Sequence, residues 1–402
     1  MKFKTTLMAV ISMSSILTAS VAIAKAPQGL SHIHGAAFSA DGTQVILGTH
    51  EGIFSLSRSG DTERISDNRN DYMSFIPHPT LPGQYLGSGH PVSGGNLGMV
   101  ESKDGGISWV KRSNGLNGPV DFHKMAISPS DNPIIVGDHG GLQVTSNGGE
   151  RWEKAGKLPE NSYAFSLSKL SDTRIYAATD QGIQLSHDLG RNWQSTSNNP
   201  LPATAVAVTP EGQILAYIVG SGLVVSDEAG IELSNIQWTT LFNGFGKHVP
   251  VSISWQAGKP AHLLIRDQAN ALWESTDQGK TWQYFLDAKP LNFSQTQGKA
   301  LFNQFCVDCH QKEGVGESYS QRMLTDASYI SAPSMDYLEH AWHHTDEQLA
   351  ETIKNGSPRT PNMPAWSSKL SDQQVSSVIS YIKSLWTQRE LDCQGPKHMS
   401  CM

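Results

Sequence analysis

The sequence is poor in charge, in cysteine and in long apolar runs, and each shortage narrows the possible functions. Only 17% of its 402 residues are charged, and the net charge is −7. Because a surface that binds nucleic acid is basic, this balance excludes nucleic acid as a partner. After residue 24 no apolar stretch is long enough to cross a bilayer, so we expect no transmembrane segment in the mature chain. Of the four cysteines, Cys306 and Cys309 form one C-x-x-C pair, and no second pair with zinc-ligand spacing accompanies it.

The residue after this pair is His310, which completes the sequence C-x-x-C-H. This is the attachment signature of a c-type haem. Two thiols at this spacing on a helical turn reach the two vinyl groups of one haem, and imidazole is a strong axial ligand for haem iron. A redox dithiol would need a βαβ context, which does not surround this pair. We therefore predict one covalent haem c, held by Cys306 and Cys309, with His310 on the iron.

Residues 1–24 have the pattern of a cleaved signal peptide. Lys2 and Lys4 precede an apolar run, and Ala22, Ile23 and Ala24 form an A-x-A cleavage site. The run is short and interrupted by serine and threonine, which favours cleavage over an anchor. We expect a periplasmic protein, and the haem signature agrees because c-type haem is attached in that compartment.

One motif, S-x-D-x-G-x-[ST]-W, recurs along the first two thirds of the chain. Its four copies lie at residues 102–109, 145–152, 186–193 and 275–282, with a degenerate copy that lacks the tryptophan at 226–230. A spacing of roughly 40–50 residues, with short strands between copies, is typical of propeller blades. The motif resembles the Asp-box of BNR, sialidase-type β-propellers. The resemblance implies an all-β propeller over residues 25–288, with six blades predicted and seven as the alternative.

Histidines stand at equivalent places in the first three predicted blades. Three occupy the turn between the second and third strands, and the others precede a blade's first strand; together they are His32, His34, His50, His90, His123 and His139. Both places open on one face of a propeller, so the six side chains are expected to meet at one mouth of the channel. Imidazole ligands indicate a copper, zinc or iron site. The alternative is a polar channel lining that binds nothing.

The C-terminal part reads as an all-α domain of residues 289–388. Capping boxes predict helices that begin near Gln295, at Asp346 and at Asp372. The order of helix, C-x-x-C-H, helix, Met-Pro loop and helix resembles a class I cytochrome c. The resemblance implies that Met363 is the distal iron ligand opposite His310, and that Gly298 and Phe302 cross Tyr381. Other candidates for the sixth ligand are Met323, Met335, His340, His343 and His344.

The tail, residues 389–402, contains the two remaining cysteines. In an oxidising compartment Cys393 and Cys401 are expected to form a disulfide. The alternative is a copper(I) clip, because the tail also carries thioether and imidazole ligands.

Two functions of different classes follow. The first is single-electron transfer, in which the haem exchanges electrons with a periplasmic redox partner and the propeller binds a substrate or metal, as in the redox subunit of an oxidoreductase. Histidine and methionine ligation leaves no open position for oxygen, which favours this function. The second is a non-catalytic docking or assembly platform with an appended electron carrier. Glycoside hydrolysis by a sialidase-like fold is a minor alternative, since the inner strand of the first blade carries no early arginine for a substrate carboxylate.

Overall fold

The computed structural model describes residues 21–23, 27, 30, 32–198, 200–230 and 236–401. The predicted signal peptide therefore lies outside the described residues, apart from the short strand β1 (Val21–Ile23), which pairs with β26 (Ala288–Pro290). Between these strands the chain forms six four-stranded antiparallel sheets, whose first strands adjoin one another in a closed ring. The propeller has six blades, as predicted, and a small helical domain follows it.

Each blade uses four consecutive strands. Blade 1 contains β2 (Ile33–Phe38), β3 (Val45–Thr49), β4 (Gly52–Leu56) and β5 (Thr62–Arg64). Blade 2 contains β6 (Asp71–Pro77), β7 (Tyr85–His90), β8 (Met99–Ser102) and β9 (Val110–Ser113). Blade 3 contains β10 (Lys124–Ile127), β11 (Ile135–Asp138), β12 (Leu142–Thr145) and β13 (Glu153–Lys154).

The second half of the ring repeats this order. Blade 4 contains β14 (Ser162–Leu167), β15 (Ile175–Thr179), β16 (Gly182–Ser186) and β17 (Gln194–Ser195). Blade 5 contains β18 (Ala203–Val208), β19 (Gln213–Ile218), β20 (Gly222–Asp227) and β21 (Thr239–Phe242). Blade 6 contains β22 (Pro250–Gln256), β23 (Lys259–Asp267), β24 (Leu272–Ser275) and β25 (Gln283–Tyr284).

The second strand of a blade carries most of the core. Every residue of β3 and of β15 is buried. Adjacent blades pack face to face, so a strand in the middle of a sheet is covered on both sides and reads as a continuous apolar run. The outer strands β5 and β9 are largely exposed.

The Asp-box motifs form the turns between the third and fourth strands. In blade 2 the Gly106 N–H donates to Ser102 Oγ, and the Ser108 N–H donates to Asp104 Oδ1. The box of blade 6 has the same pattern, with Gly279 donating to Ser275 and Thr281 donating to Asp277. In blade 5 a 3₁₀ turn (Glu228–Gly230) replaces the box. These turns define what we call the lower face of the propeller.

The opposite, upper face carries the turns between second and third strands and the segments that enter each blade. In an antiparallel blade these two kinds of connection must lie at the same edge.

The ring closes on side chains: Arg58 of blade 1 donates to both carboxylate oxygens of Glu274 in blade 6, at 2.7 and 2.8 Å. Burial would raise the pKa of Glu274, but hydrogen bonds from His262, Arg58 and Gln283 outweigh it and lower that pKa to about 2.

The helical domain contains α1 (Phe293–Phe305), α2 (Val307–His310), α3 (Gln321–Thr325), α4 (Asp346–Asn355), α5 (Asp372–Ser384) and α6 (Gln388–Asp392). Three 3₁₀ turns lie between or after them, at Lys312–Gly314, His340–His343 and Gly395–Ser400. Among the described residues, no helix is both long and apolar enough to span a bilayer.

Helices α1 and α5 cross closely, as expected. Gly298 lies against the backbone carbonyl of Ser377, and the rings of Phe302 and Tyr381 meet edge to face with centroids 5.4 Å apart. The predicted start of α1, near Gln295 on a capping box of Ser294 and Gln297, was two residues too late, because the helix begins at Phe293. Asn292, rather than Ser294, is the N-cap, because its side chain accepts from the Gln295 N–H while Gln295 bonds back to the Asn292 backbone.

Candidate haem and metal sites

His310 ends the short helix α2, directly after Cys309, and its side chain is buried. Its Nδ1 donates to the backbone carbonyl of Pro333 at 2.8 Å. A hydrogen bond of this kind fixes the tautomer and ring orientation of a ligating histidine and leaves Nε2 as the coordinating atom. Burial lowers the pKa of His310, so its imidazole is neutral, as a metal ligand must be.

The two cysteines of the motif are free thiols beside this imidazole. The first, Cys306, joins α1 to α2 and is partly buried, whereas Cys309 is exposed. Burial raises the pKa of the Cys306 thiol to about 11. Cys306 packs against the core cluster of the helical domain, and Cys309 is one helical turn away on α2. The two cysteines of the pair therefore lie at the edge of the core.

Met363 lies in a tight loop between α4 and α5. The loop starts at Gly356, which ends α4 in a left-handed conformation, and the Met363 N–H donates to Thr360 O. Like Cys306, Met363 is partly buried against the core cluster that contains Phe302. The residues present therefore fit a haem c: two thiols, a buried neutral imidazole with an oriented ring, and a thioether at the same core.

The six predicted histidines all lie on the upper face of blades 1–3, but they divide into two groups. In the first, His34 Nε2 lies 3.3 Å from His50 Nε2, and His50 Nδ1 lies 2.7 Å from Asp71 Oδ1. The His32 ring packs against His50 with centroids 4.7 Å apart. Burial foremost, together with the neighbouring His50, lowers the pKa of His34, so its imidazole is neutral.

The second group surrounds Asp121. Its Oδ2 lies 2.6 Å from His123 Nε2 and 3.1 Å from His90 Nε2. His139 joins through its ring Nδ1, which donates to the Asp121 backbone carbonyl at 2.9 Å. We call these two groups, with their eight residues, the histidine rim: His32, His34, His50, Asp71, His90, Asp121, His123 and His139.

The two carboxylates of the histidine rim were missed from the sequence. Asp121 had a usable signal, because it precedes His123 by two residues just as His32 precedes His34. Asp71 had a weaker one, since it begins the first strand of blade 2 at a place where the neighbouring blades bring histidine. From the sequence, only the histidines were predicted as ligands of this site.

Two stretches of the chain match known families. Residues 294–382 match the family described as cytochrome C oxidase, cbb3-type, subunit III. Residues 88–220 match the family described as photosynthesis system II assembly factor YCF48. With the fold, these two matches decide the domain composition. The chain is a BNR-type β-propeller joined to a cytochrome c domain.

Individual relatives cover only parts of this chain. The Cbb3-type cytochrome c oxidase subunit CcoP of Azospirillum sp. (strain B510) is 26% identical over 124 residues, which are 31% of this chain and 37% of that protein. The chain thus spans little more than a third of the length of this curated relative.

Solved structures resemble the propeller only loosely. YCF48 from Cyanidioschyzon merolae is 16% identical, covers 65% of this chain and 88% of its own, and has a TM-score of 0.39. A GH74 enzyme from Niastella koreensis is 14% identical, covers 67% of this chain and 47% of its own, and has a TM-score of 0.43. Likeness at this level carries no argument about function.

The cytochrome domain packs on the upper face of the propeller through a buried charged cluster. His248, in the segment that enters blade 6, is fully buried. Its Nδ1 lies 2.6 Å from Asp267 of the propeller, and its Nε2 lies 2.8 Å from Asp336 of the cytochrome domain. Burial would lower the pKa of His248, but the two carboxylates outweigh it, Asp336 foremost, and raise that pKa to about 9. An imidazolium therefore bridges the two domains.

Backbone contacts extend this interface. The Lys247 N–H donates to Val315 O at 2.8 Å, and the Gly246 N–H donates to Ser318 Oγ at 3.2 Å. No side chain fits at Gly246, because a Cβ there would overlap the backbone of Val315. The contact extends to His310, since residues 333–336 include both Pro333, which accepts from His310, and Asp336, which bonds His248.

The tail folds back on the cytochrome domain. Cys393 and Cys401 form a disulfide, with Cα atoms 6.1 Å apart. His398 stacks on His343 with ring centroids 4.4 Å apart. In this form neither sulfur is available as a thiolate, so a copper(I) clip would require prior reduction.

Proposed function

We propose that the protein is a single-electron carrier whose cytochrome domain holds one haem c and whose propeller docks a partner. Cys306 and Cys309 would hold the haem through thioether bonds, and His310 and Met363 would be the ligands of its iron. The bound haem supplies reversible one-electron chemistry at a potential that methionine ligation raises. The cbb3-type family match over residues 294–382 supports electron transfer as the domain's task.

One observation carries the assignment of the iron site. His310 is buried, neutral and tied through Nδ1 to Pro333 O, the arrangement expected of an axial histidine. The chain's own contribution is to bury this ring and to fix its orientation.

The propeller's part in this proposal is docking. The matched assembly-factor family over residues 88–220 supports a platform that binds another protein. The cytochrome domain occupies the upper face at blades 5 and 6, so a redox partner that binds the upper face of blades 1–3 would lie beside it. We place the encounter in the periplasm on the strength of the predicted signal peptide.

The proposed electron transfer does not require a copper or zinc ion on the propeller. The cytochrome domain can carry electrons whether or not the propeller holds a metal, because its ligands come from residues 306–363 alone.

The iron ligands are tested by optical spectroscopy of the full-length protein purified from periplasm. The wild type should contain one haem that remains attached after denaturation, with a six-coordinate low-spin spectrum. Met363→Ala should keep the covalent haem but lose the ferric charge-transfer band of methionine ligation, and its reduction potential should fall. Met323→Ala, which removes a competing candidate ligand, should leave the spectrum unchanged.

Two results would contradict the proposal. If Met363→Ala retained the methionine band, another residue would be the distal ligand. If periplasmic wild-type protein carried no covalent haem, the electron-carrier function would fail.

A further inference from the structure

The histidine rim has the geometry of a metal-binding surface in both of its groups. In the first group the Nε2 atoms of His34 and His50 face each other at 3.3 Å. Two imidazole nitrogens bound to one tetrahedral zinc ion, each at about 2.0–2.1 Å, lie roughly 3.3–3.4 Å apart. The separation is therefore the one that a shared ion requires.

The outer partner of His50 supports the same conclusion. Its Nδ1 lies 2.7 Å from Asp71 Oδ1, so a carboxylate stands behind the ring on the side away from His34. The order carboxylate, histidine, metal is the usual way in which proteins orient a ligating imidazole and raise its basicity. His32 packs against the same ring in a left-handed backbone conformation, at φ 55°, and adds a third imidazole at the edge of the group.

The second group has a carboxylate at its centre. Asp121 is 5% exposed, and its Oδ2 is shared by His90 and His123. Its other oxygen, Oδ1, is buried and has no hydrogen-bond partner among the residues that the structure describes. A buried carboxylate oxygen without a partner is costly, and a cation at this point would remove that cost.

A hydrogen bond to Nδ1 of His90 orients the ring so that Nε2 can bind a metal ion. Its Nδ1 donates to the Gly95 carbonyl at 2.9 Å, which directs Nε2 towards Asp121. This repeats, on the propeller, the arrangement of His310 with the Pro333 carbonyl. The ligand atoms of His90, Asp121 and His123 all lie within 4.8 Å of one another, as do those of His34, His50 and Asp71.

The two groups adjoin each other. Asp71 of the first and His90 of the second are direct partners on neighbouring strands of blade 2. Partners across an antiparallel pair have Cα atoms about 4.5–5.5 Å apart. A single strand pair therefore links the two groups into one surface on the upper face.

We propose that the histidine rim binds two divalent transition-metal ions side by side, each of the class that prefers imidazole, copper(II) or zinc. His34 and His50 hold the first ion, with Asp71 orienting His50. His90, His123 and Asp121 hold the second. His139, which bonds the Asp121 backbone, positions that carboxylate rather than binding the ion.

The test counts metal in the full-length holoprotein. The protein is treated with chelator, loaded separately with Zn²⁺ and with Cu²⁺, dialysed and analysed by plasma mass spectrometry, with haem iron as the internal count of chains. Wild type should retain about two added ions per iron, and Cu²⁺ should bind more tightly than Zn²⁺. In the copper arm, electron paramagnetic resonance should show nitrogen coupling from imidazole.

Paired variants assign each ion to its group. His34→Ala with His50→Ala should lose one ion, and Asp121→Asn with His123→Ala should lose the other. His78→Ala, on the lower face, should retain both. The haem spectrum should stay the same in every variant, which separates this proposal from that of the electron carrier.

Three outcomes would overturn the proposal. If the wild type retained no added metal after dialysis, the histidine rim would consist only of hydrogen-bonded pairs. If His78→Ala lost as many ions as a paired variant, the metal would be bound unspecifically at the surface. Loss of both ions, or of neither, in one paired variant would refute the assignment of two separate sites. Circular dichroism of each variant, compared with wild type, identifies any loss that comes from unfolding.

Discussion

The orientation of His310 is set by one carbonyl oxygen. Pro333 has no N–H to donate, but its carbonyl accepts from Nδ1 and so determines which nitrogen of the ring is protonated. Its position two residues before Met335, whose N–H donates to Gly314 O, ties this carbonyl to the segment that follows the haem motif. A single backbone atom thus selects the tautomer that can bind iron.

At the same scale, Gly298 permits the closest approach between two helices. We predict that Gly298→Ala destabilises the cytochrome domain by about 2–3 kcal/mol, because the added Cβ would overlap the carbonyl oxygen of Ser377 and crowd Tyr381. Urea unfolding followed by haem absorbance measures the change.

The matched control for this substitution is Gln297→Ala, one residue earlier on α1 and exposed. It should change the free energy of unfolding by no more than about 0.5 kcal/mol. Equal effects of the two substitutions would mean that α1 and α5 do not cross at Gly298.

Among the elements, the Asp-box turns differ in which groups their acidic residue bonds. Asp277 of blade 6 accepts from the backbone of Lys280 and Thr281 and from the Thr281 hydroxyl. In blade 5, where the box is degenerate, the acidic position is Glu228, whose carboxylate accepts from the Lys169 N–H and the Tyr176 hydroxyl of blade 4. The acidic residue at this place therefore bonds its own turn in blade 6 and the neighbouring blade in blade 5.

We predict that Asp277→Ala lowers the free energy of unfolding of the propeller by about 1–2 kcal/mol, since several backbone and hydroxyl donors lose a charged acceptor. Asp227→Ala, a control that removes an exposed carboxylate beside the degenerate box of blade 5, should cost about 0.5 kcal/mol or less. Thermal unfolding monitored by tryptophan fluorescence compares the two. A cost for Asp227→Ala as large as that for Asp277→Ala would contradict this view of the boxes.

At the scale of the whole molecule, the buried imidazolium of His248 joins two domains that each have a core of their own. Its two carboxylates come from opposite sides of the interface, Asp267 from blade 6 and Asp336 from the cytochrome domain. Removing one member of a buried charged group leaves an uncompensated charge. The position of His310 relative to the propeller therefore depends on the charge of His248.

This charge predicts a pH dependence of stability. The pKa of His248 is about 9 in the folded protein, above the value of about 6.5 in an unfolded chain. A raised pKa stabilises the folded state fully below about pH 6.5, and that contribution declines as the pH rises through about 9. We therefore expect the midpoint of urea unfolding to fall across this range.

His248→Gln should remove this part of the pH dependence and should cost about 3 kcal/mol at neutral pH. His78→Gln, the control, should keep the wild-type slope, because its ring lies outside the interface. A flat pH profile in the wild type between about pH 6.5 and 9 would show that His248 is not charged when folded.

The sequence by itself determined what local chemistry can specify. The Asp-box repeats determined the propeller, because each box closes a hairpin within eight residues, and the repeat length favoured six blades over seven. The C-x-x-C-H motif and the capping boxes before α4 and α5 likewise act over a few residues. Even there, the cap of α1 was misplaced, since Asn292 and Ser294 are both good N-caps and only packing chooses between them.

Only the tertiary structure decided which distant groups meet. Asp71 and Asp121 join the histidine rim because antiparallel blades bring their strand starts to the same edge as the histidine turns. His248 and Asp336 are 88 residues apart, and no local pattern connects them. Charges so far apart in the chain acquire a common environment only when two separately folded domains exclude water between them, and the sequence does not record that contact.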